Sequence, residues 1–288
     1  MKAPAFDYLA PTTVNEALGY LSEMEGARVL AGGQSLMAML NMRYAFPDCL
    51  IDINRIAALS YIRDSVSLVE IGSMTRQRDV EFSDTVAARL PLLREAILHV
   101  GHRQTRNRGT VGGSLCQLDP SAEIPTVAMA MDAKVFVASV RGTRTIAMAD
   151  FPAGYMNPAM EPDEMLLGVG FEPWPQGHGH AFVEFSRRHG DFAIVSAAVL
   201  LLFGDDGLLS RVSITLGGVA AAPMRMTLAE NELLQTRALP ADIGRAIAAC
   251  EAVEATSDAY VPAWYRQRLA GVLFQRAFNI ALERVGKK

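Results

Sequence analysis

The spacing of hydrophobic positions changes several times along the chain. In residues 12–24, TTVNEALGYLSEM, Val14, Leu18 and Leu21 share one face of a helical period, which predicts an amphipathic helix. Thr13 stands where the N-cap falls, and Glu16 three residues on completes a capping box. RVLAGG then reads as a short strand entering a glycine turn, SLMAMLNMRYAF as a short helix, and CLIDI (49–53) as a second strand. This small βαβ-like unit closes near Ile56. YIRD and SLVEIGSMT, within 58–75, give short strand signals around turns. Residues 79–100 predict a helix with Leu90, Leu93, Ile97 and Val100 on one side. GHRQTRNRGTVGGSLCQLDPSAEIP follows without a period, rich in glycine and in polar and basic residues. It reads as a long irregular segment of the kind that carries function. TVAMAMDAKVFVAS and TRTIAMADF predict a helix followed by strands.

Proline and glycine cluster at 171–179 (FEPWPQGHG), where we expect a domain boundary. Beyond it FVEFSRR, AIVSAAVLLLF and RVSITLGGV read as strands, and GDDG (204–207) is a hairpin turn between the last two. The tail is helical: PADIGRAIAACEAVEA, then PAWYRQRLAGVLFQRAFNIALERV, where Leu269, Val272, Leu273, Ala277, Ile280 and Ala281 form a stripe. Three antiparallel strands followed by helices make the C-terminal part α+β. The expected division is 1–57, 58–176 and 177–288.

Composition narrows the function. Half of the 288 residues are hydrophobic, enough for more than one core. The net charge is −4 with no Lys/Arg block, which argues against a nucleic-acid partner. The longest apolar run, Ile194 to Phe203, is too short to span a bilayer, and the N-terminal stretch lacks the apolar core of a signal peptide. Cys49, Cys116 and Cys250 are scattered and odd in number, so a disulfide framework, a zinc site or an iron–sulfur cluster is not expected, and a reducing cytoplasm fits. There is no H-E-x-x-H, Walker A or G-x-S-x-G motif, and no G-x-G-x-x-G opening a helix.

Two stretches stand apart. AGGQSL (31–36) and TVGGSL (110–115) each set a glycine pair and a serine behind an apolar run. A glycine pair lets backbone N–H groups approach an anion without Cβ atoms in the way, and serine or threonine hydroxyls add donors. Taken singly, either pair is an ordinary turn, as Gly217–Gly218 is expected to be. Likewise Glu123 alone is a helix-start charge, and Phe192 alone a core residue. His102 reads as a surface residue, and Arg103, Arg106 and Arg108 as a solvated face or a phosphate-screening one. His178, His180 and His189 lack metal-ligand spacing.

Together, AGGQSLMAMLNMR and RNRGTVGGSLCQLDPSAEIP resemble the flavin-binding medium subunit of the molybdenum hydroxylases, the carbon monoxide dehydrogenase, xanthine dehydrogenase and quinoline 2-oxidoreductase types. The resemblance runs through the opening P-x-F-x-Y, the E-M-L-L stretch at 164–167 and R-R-H-G-D-F-A at 187–193. It implies a two-subdomain FAD-binding domain of the PCMH/VAO type, followed by an α+β C-terminal domain with a three-stranded antiparallel sheet. It implies that Ala31, Gly32, Gly33, Gln34, Ser35 and Leu36 wrap the FAD pyrophosphate. Thr110, Val111, Gly112, Gly113 and Ser114 then touch the diphosphate and ribityl chain, with Ser114 where many relatives carry Asn. Glu123, often Asp in relatives, would contact the flavin's sugar or ribityl hydroxyls. Phe192, often Tyr, would lie near the flavin ring, and Leu167 would touch it from the middle domain.

The resemblance also implies partners: a large subunit with a molybdopterin-type molybdenum cofactor and a small subunit with two [2Fe–2S] clusters, assembled as a dimer of heterotrimers. Electrons would pass through FAD on this chain to an external acceptor, with no side chain needed as acid or base. The AGGQS variant and the likeness to the quinoline type point to an N-heteroaromatic substrate; carbon monoxide, or an aldehyde- or purine-type substrate, is the alternative. A stand-alone FAD oxidoreductase and a cofactor-free assembly subunit are competing readings, the latter requiring loss of the glycines. A partner would dock on the Met-rich stretch after AGGQSL or on the segment before the second motif.

Overall fold

The computed structural model describes residues 2–286. Its first unit contains β1 (Asp7–Leu9), α1 (Val14–Glu23), β2 (Ala27–Leu30), α2 (Leu36–Asn41) and β3 (Cys49–Asp52). The strands form a parallel sheet in the order β1-β3-β2, with α1 packed on it through Ala17, Leu18 and Leu21. The capping box is present: Thr13 Oγ1 accepts from the Glu16 amide at 3.2 Å, and the Glu16 carboxylate accepts from the Thr13 amide at 3.2 Å.

The second unit runs through β4 (Ile62–Asp64), β5 (Val69–Gly72), α3 (Gln77–Phe82), α4 (Asp84–Arg89), α5 (Pro91–Ala96), α6 (Arg103–Arg108), α7 (Val111–Gln117) and α8 (Glu123–Ala130). It then adds β6 (Lys134–Ser139), β7 (Gly142–Ala147), β8 (Pro152–Gly154), β9 (Asn157–Pro158) and β10 (Met165–Phe171). Its main sheet is antiparallel, ordered β4-β5-β10-β6-β7.

Two expectations need correction here. The single helix over 79–100 is three short ones. Ser83 ends α3 and caps α4, its hydroxyl accepting from the Val86 amide at 3.3 Å, while Pro91 forces a new start at α5. The segment expected to be irregular, 101–125, holds α6, α7 and the start of α8. α6 and α7 are too short to display a period. α8 is buried at all eight positions and so has no polar face to read.

The third unit comprises β11 (Gly179–Phe185), β12 (Val195–Phe203), β13 (Leu209–Gly217), β14 (Met224–Arg225), α9 (Thr227–Leu233), α10 (Pro240–Glu251) and α11 (Ala263–Arg284). Its antiparallel sheet has four strands, ordered β11-β12-β13-β14, not the expected three. β14 is two residues held by pairing with Thr215 and Leu216, too short for any alternation, and α9 was likewise unread. The GDDG turn closes the β12–β13 hairpin, the Gly204 amide donating to the Leu208 carbonyl at 2.8 Å.

β12 shows why its sequence is apolar throughout. Ala198 and Leu200 face the core of the second unit, whereas Ala197, Val199 and Leu201 face Leu273, Phe274 and Ala277 of α11. A strand buried on both faces has no polar alternation. Among the described residues, no helix is long and apolar enough to cross a membrane.

Candidate functional site

The first glycine motif leaves β2 and enters α2; the second lies on the first turn of α7, capped by Thr110. The fold brings them into contact. A Cβ built on Gly32 would come within 2.9 Å of the Arg108 carbonyl carbon and 3.0 Å of Gly109 Cα, and one on Gly113 would meet Ala31 Cβ at 3.9 Å. Gly112 lies as tightly on Ser73, whose Cβ would be 2.5 Å and Cα 2.8 Å away. The first glycine of each pair, Gly32 and Gly112, therefore serves close backbone packing.

A side-chain network fixes the junction. Asn54 Nδ2 donates to the Ala31 carbonyl at 2.8 Å and to Asp52 at 2.5 Å. Tyr8 Oη donates to Asp52 at 2.5 Å, while Arg76 donates to Asn54 Oδ1 at 2.6 Å and to the Arg108 carbonyl at 2.5 Å. Burial pushes the Asp52 carboxyl up, but donation by Tyr8 and Asn54 outweighs it and holds the group below the usual carboxylate range.

The motifs differ in what they leave free. In the second, the amides of residues 111–114 are occupied: Val111 donates to the Thr75 carbonyl (3.1 Å), Gly112 to Ser73 (2.9 Å), Gly113 to Thr110 Oγ1 (3.0 Å) and Ser114 to the Thr110 carbonyl (3.1 Å). The second motif is thus a capped helix start rather than a loop of free donors, and its available side-chain donors are the Thr110 and Ser114 hydroxyls. In the first motif, the amides of residues 32–36 have no partner among the described residues. Gly33, at φ +73°, gives the turn that presents them. A row of free N–H groups opening into a helix is an anion cradle.

These residues line a cavity of about 710 Å³, well inside the size range of cofactor sites. Ala31 through Leu36, Thr110, Gly112, Gly113, Ser114, Glu123 and Phe192 all stand on its wall. Val111 does not: it is fully buried in the core of the second unit. Nor does Leu167, which sits at the irregularity of β10 and packs against the first unit, leaving Met165 and Leu166 as the lining residues. Phe192 is not a core residue, being 63% exposed on the β11–β12 connection. That connection is braced by Gly190, where a Cβ would lie 2.6 Å from His102 Nδ1.

Glu123 is the first residue of α8, as its helix-start reading expects, and is only 4% exposed. Burial pushes its carboxyl up to about 8. Asp119, unnoticed in the sequence, also lines the cavity, and burial raises it too. Its signal was the Asp-Pro turn after the second motif. The orphaned buried atoms Ser73 Oγ and Gln77 Oε1, and the β8–β9 hairpin with Met156 and Asn157, complete the wall with no sequence signal.

Arg106 is spent on Glu81 at 2.9 Å, while Arg103 and Arg108 stay exposed. After α2, Met42, Tyr44 and Phe46 are exposed, whereas the segment before the second motif exposes polar residues. Among the described residues, no cluster of His, Cys, Asp and Glu is arranged to hold a metal.

The cavity offers the free amides of residues 32–36 to an anionic group and has room for an organic body beside it. Residues 4–174 match the FAD binding domain in molybdopterin dehydrogenase, and residues 180–281 match the CO dehydrogenase flavoprotein C-terminal domain. The chain is 38% identical to the 6-hydroxypseudooxynicotine dehydrogenase complex subunit alpha of Paenarthrobacter nicotinovorans, over 99% of this chain and 97% of that one. It superposes on carbon monoxide dehydrogenase from Hydrogenophaga pseudoflava with a TM-score of 0.96 at 36% identity, covering 99% and 100% of the two chains. Quinoline 2-oxidoreductase from Pseudomonas putida 86 gives a TM-score of 0.93 at 33% identity, over 99% of each chain. The chain therefore belongs to the FAD-binding medium subunits of the molybdenum hydroxylases, the carbon monoxide dehydrogenase and xanthine dehydrogenase family.

Proposed function

We propose that this chain is the electron-exit subunit of its hydroxylase and that it holds FAD across the two glycine motifs. The free amides of residues 32–36 on the cavity wall carry this reading. They are pre-aimed donors for a pyrophosphate, each charge-assisted bond worth about 1.5–3 kcal/mol. Thr110 and Ser114 add hydroxyls, Glu123 faces the sugar or ribityl hydroxyls, and Phe192 shields the ring end. FAD supplies the exchange between single-electron and paired-electron carriers. The protein positions it, sets its surroundings and controls access.

The partners in this reading are a large subunit with the molybdopterin-type cofactor and a small one with two [2Fe–2S] clusters, in a dimer of heterotrimers. The holoenzyme substrate is an N-heteroaromatic compound. Support comes from the 38% identity to a relative named for a nicotine derivative. Native purification should yield this chain with two partners, flavin, iron and molybdenum. Flavin on a lone chain, without metals, would remove the assembly. Flavin reduction by carbon monoxide but by no N-heterocycle would remove the substrate assignment.

Phe192 gives a local test. Because it is exposed, Phe192→Leu should change stability by less than about 0.5 kcal/mol while shifting the visible absorption of bound flavin. An unchanged spectrum would place the ring elsewhere.

A further inference from the structure

His99 and Glu184 pair, and both lie near enough to Glu123 for their charges to act on it. Glu123 opens α8, Glu184 lies on β11, and His99 follows α5. His99 Nδ1 is 3.4 Å from Glu184 Oε1, and its side chain is 35% exposed, so the group reaches solvent through the imidazole. The other oxygen of Glu184, Oε2, is buried without a partner. Glu123 lines the cavity, is buried, and forms no ion pair and no side-chain hydrogen bond to another residue among those described.

The surroundings of Glu123 hold an excess of negative charge. Glu184 and Asp119 act on it as like charges, while His99, the one cation among the described residues that acts on it, is engaged by Glu184. Other elements packed on α8 supply no cation there. β12 has no titratable residue, α7 brings only the Cys116 thiol, Arg94 of α5 acts on Glu81, residues 148–150 bring only Asp150, Arg211 of β13 lies over the Trp174 ring, and Arg225 of β14 pairs with Asp132 and Glu230. Glu95, also near, is paired with Arg284. A dianionic pyrophosphate in the same cavity would add still more negative charge. An ionised carboxylate buried without a cation is costly, and protonation is the cheaper outcome.

We propose that Glu123 stands in the cavity as a neutral carboxylic acid, a hydrogen-bond donor, and that FAD binding is coupled to proton uptake at this residue. The proposal rests on the FAD reading of the cavity. Burial, and then Glu184, raise the Glu123 carboxyl to about 8, against the opposing pull of its own backbone N–H and of His99. The free chain therefore loses this proton as pH rises through about 8, and the bound form retains it. The sign follows: affinity is full below that pH and falls above it. For one linked proton the dissociation constant should rise about fourfold between pH 6.5 and 8.5.

The test is calorimetric titration of FAD into the FAD-free full chain, in buffers of different ionisation enthalpy, at pH 6.5 and 8.0. Heats should report uptake of about half a proton per FAD at pH 8.0 and close to none at pH 6.5. Glu123→Gln keeps a donor but cannot titrate, so its heats should be the same in every buffer at both pH values. The wild-type measurement stands alone should that variant not fold. FAD binding with no buffer dependence at pH 8.0 would overturn the coupling and leave the FAD site intact. Uptake surviving in Glu123→Gln would assign the proton elsewhere and overturn it as well. No FAD binding at either pH would overturn both the coupling and the reading beneath it.

Discussion

Gly32→Ala is expected to cost the chain at least about 100-fold in FAD affinity, the equivalent of losing about 3 kcal/mol, or two charge-assisted hydrogen bonds. The added methyl has no room. It meets the backbone of Arg108 and Gly109, not a side chain able to rotate away. That backbone is itself held by Arg76, which bonds the Arg108 carbonyl. The first motif must therefore shift, and the aim of the amides at 32–36 shifts with it. Gly19→Ala is the control. Its Cβ meets nothing within 4 Å on α1, so alanine should stabilise the chain by up to about 1 kcal/mol and leave FAD content unchanged. Equal FAD content in Gly32→Ala and Gly19→Ala would refute the close-packing role of Gly32.

Arg266→Met should destabilise the chain by about 3 kcal/mol, visible as a lower urea midpoint. Arg266 is 7% exposed on α11 and donates to the Ile194 carbonyl at 2.7 Å and the Gly218 carbonyl at 2.6 Å, besides pairing with Asp258. Methionine preserves much of the volume but leaves two carbonyls facing no donor. Ile194 lies two residues past Phe192, so the same change should loosen the connection that carries Phe192 to the cavity. A midpoint shift worth under about 0.5 kcal/mol would mean that solvent replaces these bonds without loss.

The strongly patterned elements were legible in the sequence: the capped α1, the β12–β13 hairpin with its GDDG turn, and the stripe of α11. Each has a period or a turn long enough to read. The helices of 101–130 were not, because α6 and α7 are short and α8 is apolar all round. β14 owes its existence to the strand beside it. At the site, twelve of the fourteen residues expected from the glycine motifs and the flavoprotein resemblance line one cavity. Val111 and Leu167 turn away because each neighbours lining residues while its own side chain points into a core. What no local pattern could reveal is the asymmetry of the two motifs. It depends on Ser73 and Thr75 lying alongside the second motif and taking up the Val111 and Gly112 amides, while Thr110 takes up those of Gly113 and Ser114. Asn54 and Arg76, which join the motifs, likewise act through contacts distant in sequence.

Amide hydrogen exchange at single-residue resolution tests that asymmetry most directly, with and without FAD on the full chain. The amides of Gly32 through Leu36 should exchange quickly in the free chain and become strongly protected with FAD. Those of Val111 through Ser114, already bonded within the protein, should be slow in both states. Protection gained at 111–114 while 32–36 stays fast would contradict the account and move the pyrophosphate cradle to the second motif.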